Sequence, residues 1–417
     1  MLDGMLSTVP VTDARRVDDY VEAAGAEAVS RLRAAAAPLA GSRLLNVSST
    51  AFGGGVAELV PTQVALMRDL GIDARWKLFE GSGDFFAVTK AAHNGLQGGE
   101  VPWTTTMERT YLERIRANAS EWSADFDFVL VHDPQPAALL TFVEDGSAHT
   151  GRWMWRCHIQ LSQPQEAVWR FFAAHVARYD AVIFTAQEFV QPGITGRVAL
   201  IPPSIDPLAP KNAPMDTNSA RAIVRSFGVD TERPIVTQVS RFDPWKDPLG
   251  VIDAYRLVKR SVPTVQLVMI GSLAHDDPEG MHYLELTERH RGGDPDVHIL
   301  TNLQDVGQVE VNAFQRASDV ILQKSLREGF GLTASEAMWK ERPVVAGAVG
   351  GLKLQVRDGT SGYLVDTVED CADRTLELLH DPALRVRMGK AGREEVRRRF
   401  LSTREVEDHL NLMASLR

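Results

Sequence analysis

Two successive series of short apolar segments, each segment followed by an amphipathic stretch, constrain this chain more than any other feature. In the first series the apolar segments fall at residues 43–49, 75–79, 126–132, 153–158, 181–185 and 198–201. In the second they fall at 235–239, 265–270, 297–300, 320–323, 344–346 and 362–365. Strands separated by helical stretches predict parallel βαβ units. Residues 202–214, with five prolines, form the best linker candidate between the series. A helix is expected to open the chain at 17–37, and two more close it at 382–399 and 403–416. The expected fold is therefore α/β, with two Rossmann-like doubly wound domains facing across a deep cleft. Residues 1–205 make the first domain, 206–233 the linker region and 234–395 the second domain. Residues 396–417 are expected to return as a helix onto the first.

Length and composition agree with two domains. At 417 residues the chain exceeds one ordinary core, and 44% hydrophobic residues suffice for globular folding. A net charge of −10 argues against a general nucleic-acid binder, so any bound phosphate must meet local Arg or Lys. Cys157 and Cys371 are the only cysteines, which excludes a disulfide framework and a Cys-based zinc site and fits a reducing cytoplasm. The first residues lack a charged start followed by an apolar run, and no stretch approaches 18 uninterrupted apolar residues. The expectation is a cytoplasmic protein with neither a nucleic-acid nor a membrane partner. Its oligomeric state is open, with a homodimer among the options.

In doubly wound sheets, ligands sit beyond the carboxyl ends of the strands. Three groups of residues fall there. The segment EGFGLTASE, residues 328–336, sets Glu328 and Glu336 eight apart around two glycines, with helix formers after them. Carboxylates accept hydrogen bonds from hydroxyls, and N–H groups at a helix start face phosphate oxygens, so the pattern suits a sugar nucleotide. An acidic loop capping a surface helix is the simpler alternative. The run AFGGGVAE, residues 51–58, can bring backbone N–H groups against an anion, or can be a tight-packing turn. It lacks the glycine spacing of a nicotinamide site. In QVSRFDPWKD, residues 238–247, Arg241 and Lys246 could neutralise a diphosphate; Asp243 and Asp247 are available to pair with them instead.

A further group comes from HDPQP, residues 132–136, and WRCHIQ, residues 155–160. His132, Asp133, Arg156 and His158 stand at strand ends of the first series, where the cleft is expected. Each histidine could be structural. Two histidines and an Asp could bind a metal, but their spacing is not a local metal motif.

The combination of Gly54–Gly55, Arg241, Lys246 and the E-x7-E pair Glu328/Glu336 resembles the retaining GT-B glycosyltransferases of family 4. More narrowly, several stretches resemble the trehalose glycosyltransferring synthases: residues 79–98, VHDPQP, WRCHIQLS, VSRFDPWKD, AHDDPEG, residues 310–323 and EGFGLTASEAMWK. The resemblance implies that Glu336 takes ribose hydroxyls and Glu328 the donor sugar. Backbone N–H groups of Phe330, Gly331 and Leu332 would meet sugar and phosphate, Arg241 and Lys246 would hold the diphosphate, and Gly54 and Gly55 would close from the first domain. His132, Asp133, Arg156 and His158 would form the acceptor side. Glu328, Arg241, Lys246 and His158 would be catalytic. The implied reaction joins the glucose of a nucleoside-diphosphate glucose to free glucose, reversibly, giving trehalose. It needs no tightly bound cofactor, and Mg2+ is permitted but not required. A retaining trehalose phosphorylase using glucose 1-phosphate is the nearest alternative. A catalytically dead sugar-binding protein would be expected to have lost Glu328, Arg241 or Lys246, and all three are present.

Overall fold

The computed structural model describes residues 6–11, 15–51, 54–122, 125–146, 151–273 and 278–417. Two compact units emerge, Met1–Ser204 with Ser402–Arg417, and Ile205–Leu401.

The first unit is built on seven strands: β1 (Leu6–Thr8), β2 (Arg43–Ser48), β3 (Asp73–Phe79), β4 (Phe128–His132), β5 (Arg152–Arg156), β6 (Ala181–Phe184) and β7 (Arg197–Leu200). Their order is β1-β3-β2-β4-β5-β6-β7, parallel throughout except for β1, which runs antiparallel to β3. The strands β4 and β6 are near-continuous apolar runs, and β5 is apolar between Arg152 and Arg156, as expected of a parallel sheet buried on both faces. Three residues are too few to carry an alternation, so β1 had no sequence signature. The expected opening helix is also interrupted. Gly25 adopts φ 93° and separates the helix Val21–Ala24 from Ala26–Ala36, a conformation open to glycine and costly for other residues.

The second unit carries six parallel strands: β8 (Ile235–Val239), β9 (Gln266–Gly271), β10 (Val297–Thr301), β11 (Val320–Gln323), β12 (Val344–Gly347) and β13 (Tyr363–Val365). They are ordered β10-β9-β8-β11-β12-β13. Separate apolar clusters, one around Val251, Leu267 and Leu322 and one around Val224, Val268 and Phe314, make its core.

Residues 206–233, expected as the linker region, fall within the second unit. They carry the helix Thr217–Ser226, capped by Asp216, and they pack within the second unit. The proline-rich stretch that precedes the helix is anchored by hydrogen bonds from Asn312 to the carbonyls of Pro210 and Ala213. The helix Ser402–Ser415 belongs to the first unit.

Among the parallel strands, strand order reverses once in each sheet. In the first, the chain moves outward from β2 to β3 and then returns to place β4 on the other side of β2. In the second, it moves from β8 through β9 to β10 and returns with β11 beside β8. Such reversals open a crevice at the strand ends. The loops after β2 and β4, and those after β8 and β11, therefore border the crevices that sheets of this kind use for ligands.

Candidate active site

At the reversal of the second sheet, the loops after β8 and β11 are tied together. Asp243 caps the short turn Pro244–Lys246 by accepting from the N–H groups of Trp245 (3.0 Å) and Lys246 (3.1 Å). Gln238, at the end of β8, donates to the Lys246 carbonyl and accepts from Lys324 N–H. Leu326 N–H donates to the Trp245 carbonyl at 2.7 Å, and the Arg327 guanidinium lies over the Trp245 ring. This frame brings Lys246 Nζ to 2.5 Å from Glu328 Oε2. Gln323 and Ser325 donate to the same oxygen, at 3.3 and 3.1 Å. Thr333 in turn holds Gln323 Oε1 at 2.6 Å, fixing which end of that amide faces Glu328.

Gly331 stands between Glu328 and the helix Leu332–Trp339 with φ 90°. A Cβ there would sit 2.9 Å from Leu352 and 3.1 Å from Glu328 side-chain carbons, so position 331 needs glycine for both conformation and space. Gly351 lets the neighbouring chain approach, since its Cβ would fall 2.4 Å from the Phe330 Cα.

Other expected donor residues are placed differently. Arg241 is half-exposed and pairs with Asp243 at 3.1 Å, as the simpler reading of that loop allowed. Asp247 adopts φ 48°, caps the helix Pro248–Ser261 and binds Lys324 rather than Lys246. Glu336 is only 1% exposed. Its Oε1 meets Lys211 Nζ at 2.7 Å, while Oε2 is buried without a hydrogen-bond partner. Lys340, one turn on, is buried against Asn212, Gln315 and the Glu336 carbonyl, and burial lowers its pKa to about 7.

In the first unit, Gly54 has φ 91° and precedes the helix Gly55–Asp69, whereas Phe52 and Gly53 lie outside the described residues. At the end of β4, Asp133 takes the left-handed conformation, φ 65°. Three bonds hold it there. Its N–H donates to the Arg156 carbonyl (2.8 Å), its carbonyl accepts from the Trp155 indole (2.9 Å), and its carboxylate accepts from His158 N–H (2.8 Å). The carboxylate thus fastens the loop after β5 and caps no helix. Burial raises its pKa to about 6, against the pull of the His158 N–H and Arg156.

His132 and His158 meet ring to ring, Nδ1 to Nε2, at 3.0 Å. His132 Nε2 reaches Asn46 Oδ1 at 3.1 Å. Burial and the nearby Arg156 charge push the His132 pKa down to about 3 and hold His158 well below the ordinary histidine value. Arg156, expected on the acceptor side, is turned into the interior of the first unit. It is 1% exposed, and its guanidinium is consumed by Glu405 (2.7 Å) and His409 (2.9 Å) of the helix Ser402–Ser415. Its Nε, Nη1 and Nη2 each donate to a side chain of the same unit, so all three guanidinium nitrogens are engaged in the interior. Among the described residues, no group of three or more His, Cys, Asp or Glu could hold a metal ion.

Several residues on these networks escaped sequence reading. Gln323 ends β11 and Ser325 follows it, both shortly before Glu328, a position that could have flagged them. Glu405 and His409 stand four apart on the buried face of a helix shared with Val406, Leu410 and Met413, and two polar residues on such a face are a legible signal. Lys211 had none.

Comparison with known proteins follows this division. Residues 46–191 match the family model "Trehalose synthase, N-terminal domain", and residues 219–395 match "Glycosyl transferases group 1". A trehalose synthase of Thermococcus litoralis is 49% identical over 406 residues, covering 97% of this chain and 98% of that protein. The chain belongs to the trehalose synthase family. A second member, from Rubrobacter xylanophilus, is 48% identical over 95% of the chain and 96% of its own length. Solved structures agree on the fold. A UDP-forming α,α-trehalose-phosphate synthase from Burkholderia xenovorans aligns with a TM-score of 0.73 at 16% identity, covering 90% of this chain and 99% of that one. The expected GT-B fold therefore holds, and membership in the trehalose synthase family makes the chain a glycosyltransferase. No described helix is long and apolar enough to cross a membrane.

Proposed function

We propose that this enzyme transfers glucose, with retention, from a nucleoside-diphosphate glucose to free glucose, giving trehalose and the nucleoside diphosphate, and that it runs in both directions. The observation that carries this reading is the convergence of Lys246, Gln323 and Ser325 on Glu328 at the reversal of the second sheet. A carboxylate held in place by a cation and two neutral donors is preorganised to accept a sugar hydroxyl. The ammonium beside it can turn to the leaving diphosphate. The bond between the anomeric carbon and the phosphate oxygen breaks, and the bond to the acceptor oxygen forms on the same face. The departing phosphate takes the acceptor proton, so no enzyme base is required. Developing charge on the phosphate is met by Lys246, with Arg241 in support, and by N–H groups at the Phe330–Leu332 turn. Glu336 is assigned to the ribose, which requires the Lys211 ammonium to make room. On the acceptor side we assign Asp133, with His158 and His132 shaping the wall beside it, and Gly54–Gly55 to the approach of the loop after β2. Relatives named trehalose synthase, 48–49% identical over nearly the whole chain, support the sugar product.

A second reading has one specific support. A trehalose phosphorylase of Pleurotus pulmonarius is 27% identical over 84% of this chain and 54% of its own. That protein's activity, carried here, would use glucose 1-phosphate and would not need Glu336 for a ribose. One experiment decides. The protein is incubated with glucose and, in turn, UDP-, ADP- and GDP-glucose and glucose 1-phosphate, and the product's linkage is determined. An α,α-linked disaccharide from a nucleotide sugar is expected. Formation only from glucose 1-phosphate would establish the second reading, and any other linkage would end both.

A further inference from the structure

The buried hydrogen bonds around Arg156 form one directed chain, and the guanidinium that sets its direction is held by the helix Ser402–Ser415. A guanidinium can only donate. Arg156 Nε lies 3.4 Å from His158 Nδ1, so that nitrogen accepts and the His158 proton sits on Nε2. Nε2 then donates to His132 Nδ1, which puts the His132 proton on Nε2, where it donates to Asn46 Oδ1. The amide is left with its NH2 toward the Arg75 carbonyl, at 3.4 Å. Every atom takes the role that the next one needs. On its other side Arg156 Nη1 donates to His409 Nε2, which forces the His409 proton onto Nδ1. That nitrogen is buried with no hydrogen-bond partner, the one unmet demand of the network. Glu405 supplies the charge that lets Arg156 remain in the interior, and Ser204 donates to its second oxygen.

We infer that Glu405 and His409 are positioning residues for the acceptor side: by fixing the Arg156 guanidinium they set the orientation and proton placement of His158 and His132, and with them the wall beside Asp133. The inference rests on the acceptor assignment proposed above. Both ring nitrogens of His158 are engaged, so His158 acts by its place and shape and carries no proton to or from the sugar. The burial that lowers the pKa of all three histidines agrees with neutral rings.

The test has two arms. Full-length protein labelled with 15N-histidine is examined by long-range proton–nitrogen correlation at pH 7.5, with signals assigned through single His→Gln variants. Neutral rings are expected, protonated on Nε2 in His132 and His158 and on Nδ1 in His409, the tautomer that is rarer in solution. A His409 proton on Nε2, or a charged His158, overturns the chain. These states are read without substrate, so a wrong donor or acceptor assignment leaves this arm standing. In the second arm, Glu405→Gln and Glu405→Asp are compared by glucose kinetics and by calorimetry with nucleoside diphosphate. Glu405→Gln should raise the glucose KM at least tenfold with nucleoside diphosphate affinity unchanged, and Glu405→Asp should recover part of the loss. A wild-type glucose KM in Glu405→Gln, even with a lower melting temperature, overturns the positioning role.

Discussion

Lys211 places its ammonium 2.7 Å from a Glu336 carboxylate that is 1% exposed, joining the proline-rich stretch before the helix Thr217–Ser226 to the helix Leu332–Trp339. Structural and ligand-binding roles therefore meet in Glu336, and they can be separated. Glu336→Gln removes the charge that Lys211, itself partly exposed, pairs with, and should cost about 1–3 kcal/mol of stability. It should also weaken nucleoside diphosphate binding, because an amide accepts less well from ribose hydroxyls. Adding Lys211→Met should restore most of the stability and none of the affinity. Denaturant titration and calorimetry on the single and double variants measure both, and affinity recovering together with stability would remove the ribose role.

Lys246 and Glu328 should separate turnover from binding. Lys246→Ala removes a preorganised cation and should lower turnover about 100-fold or more. Glu328→Gln should also damage turnover while sparing nucleoside diphosphate affinity. Arg241 is half-exposed and already paired with Asp243, so Arg241→Ala should cost clearly less than Lys246→Ala. Steady-state rates at saturating donor test the order, and equal losses for Arg241→Ala and Lys246→Ala would require both cations on the diphosphate.

Asp133 combines a left-handed backbone with a carboxylate that holds the His158 N–H. Asp133→Ala loses that acceptor, at roughly 1–3 kcal/mol, and strains φ by a further ~1–2 kcal/mol. Asn tolerates φ above zero, so Asp133→Asn should be the more stable variant. If the carboxylate also binds a sugar hydroxyl, Asp133→Ala should raise the glucose KM more than tenfold. A stability loss with an unchanged glucose KM would confine Asp133 to the loop.

Acid should destabilise the first unit earlier than carboxylate titration alone would. His132 titrates near 3 and His175 near 4 in the folded chain, and His158 and His409 also lie well below 6.5. Between pH 6.5 and about 4 the unfolded chain binds protons there that the folded chain does not, so stability falls as pH falls. The slope is at most ~1.4 kcal/mol per pH unit for each histidine. Asp133, raised to about 6, acts in the opposite sense, gaining stability as pH falls toward its ordinary value. Four groups oppose one, and the denaturant midpoint should drop from pH 7 to pH 5. A flat profile over that range would mean that the histidines are accessible to protons in the folded state.

The fold was legible because its cause is local. Apolar runs such as 128–132 and 320–323 are too short for buried helices and suit strands buried on both faces, and their alternation with amphipathic stretches favours parallel sheets. Gly331 has a local cause too, since a positive φ and a close approach demand glycine there. Partnership was decided by tertiary structure. Lys246 had Asp243 and Asp247 within a few residues, yet it pairs with Glu328, 82 positions away, because the strand order sets β8 beside β11. Arg156 stands at a strand end like His158, but burial turned it toward Glu405, 249 positions on, since an interior guanidinium must find a carboxylate and solvent offers none. Residue type and spacing announce where polar chemistry collects. Which charge meets which, and whether a side chain faces a ligand or the core, follows from sheet order and burial.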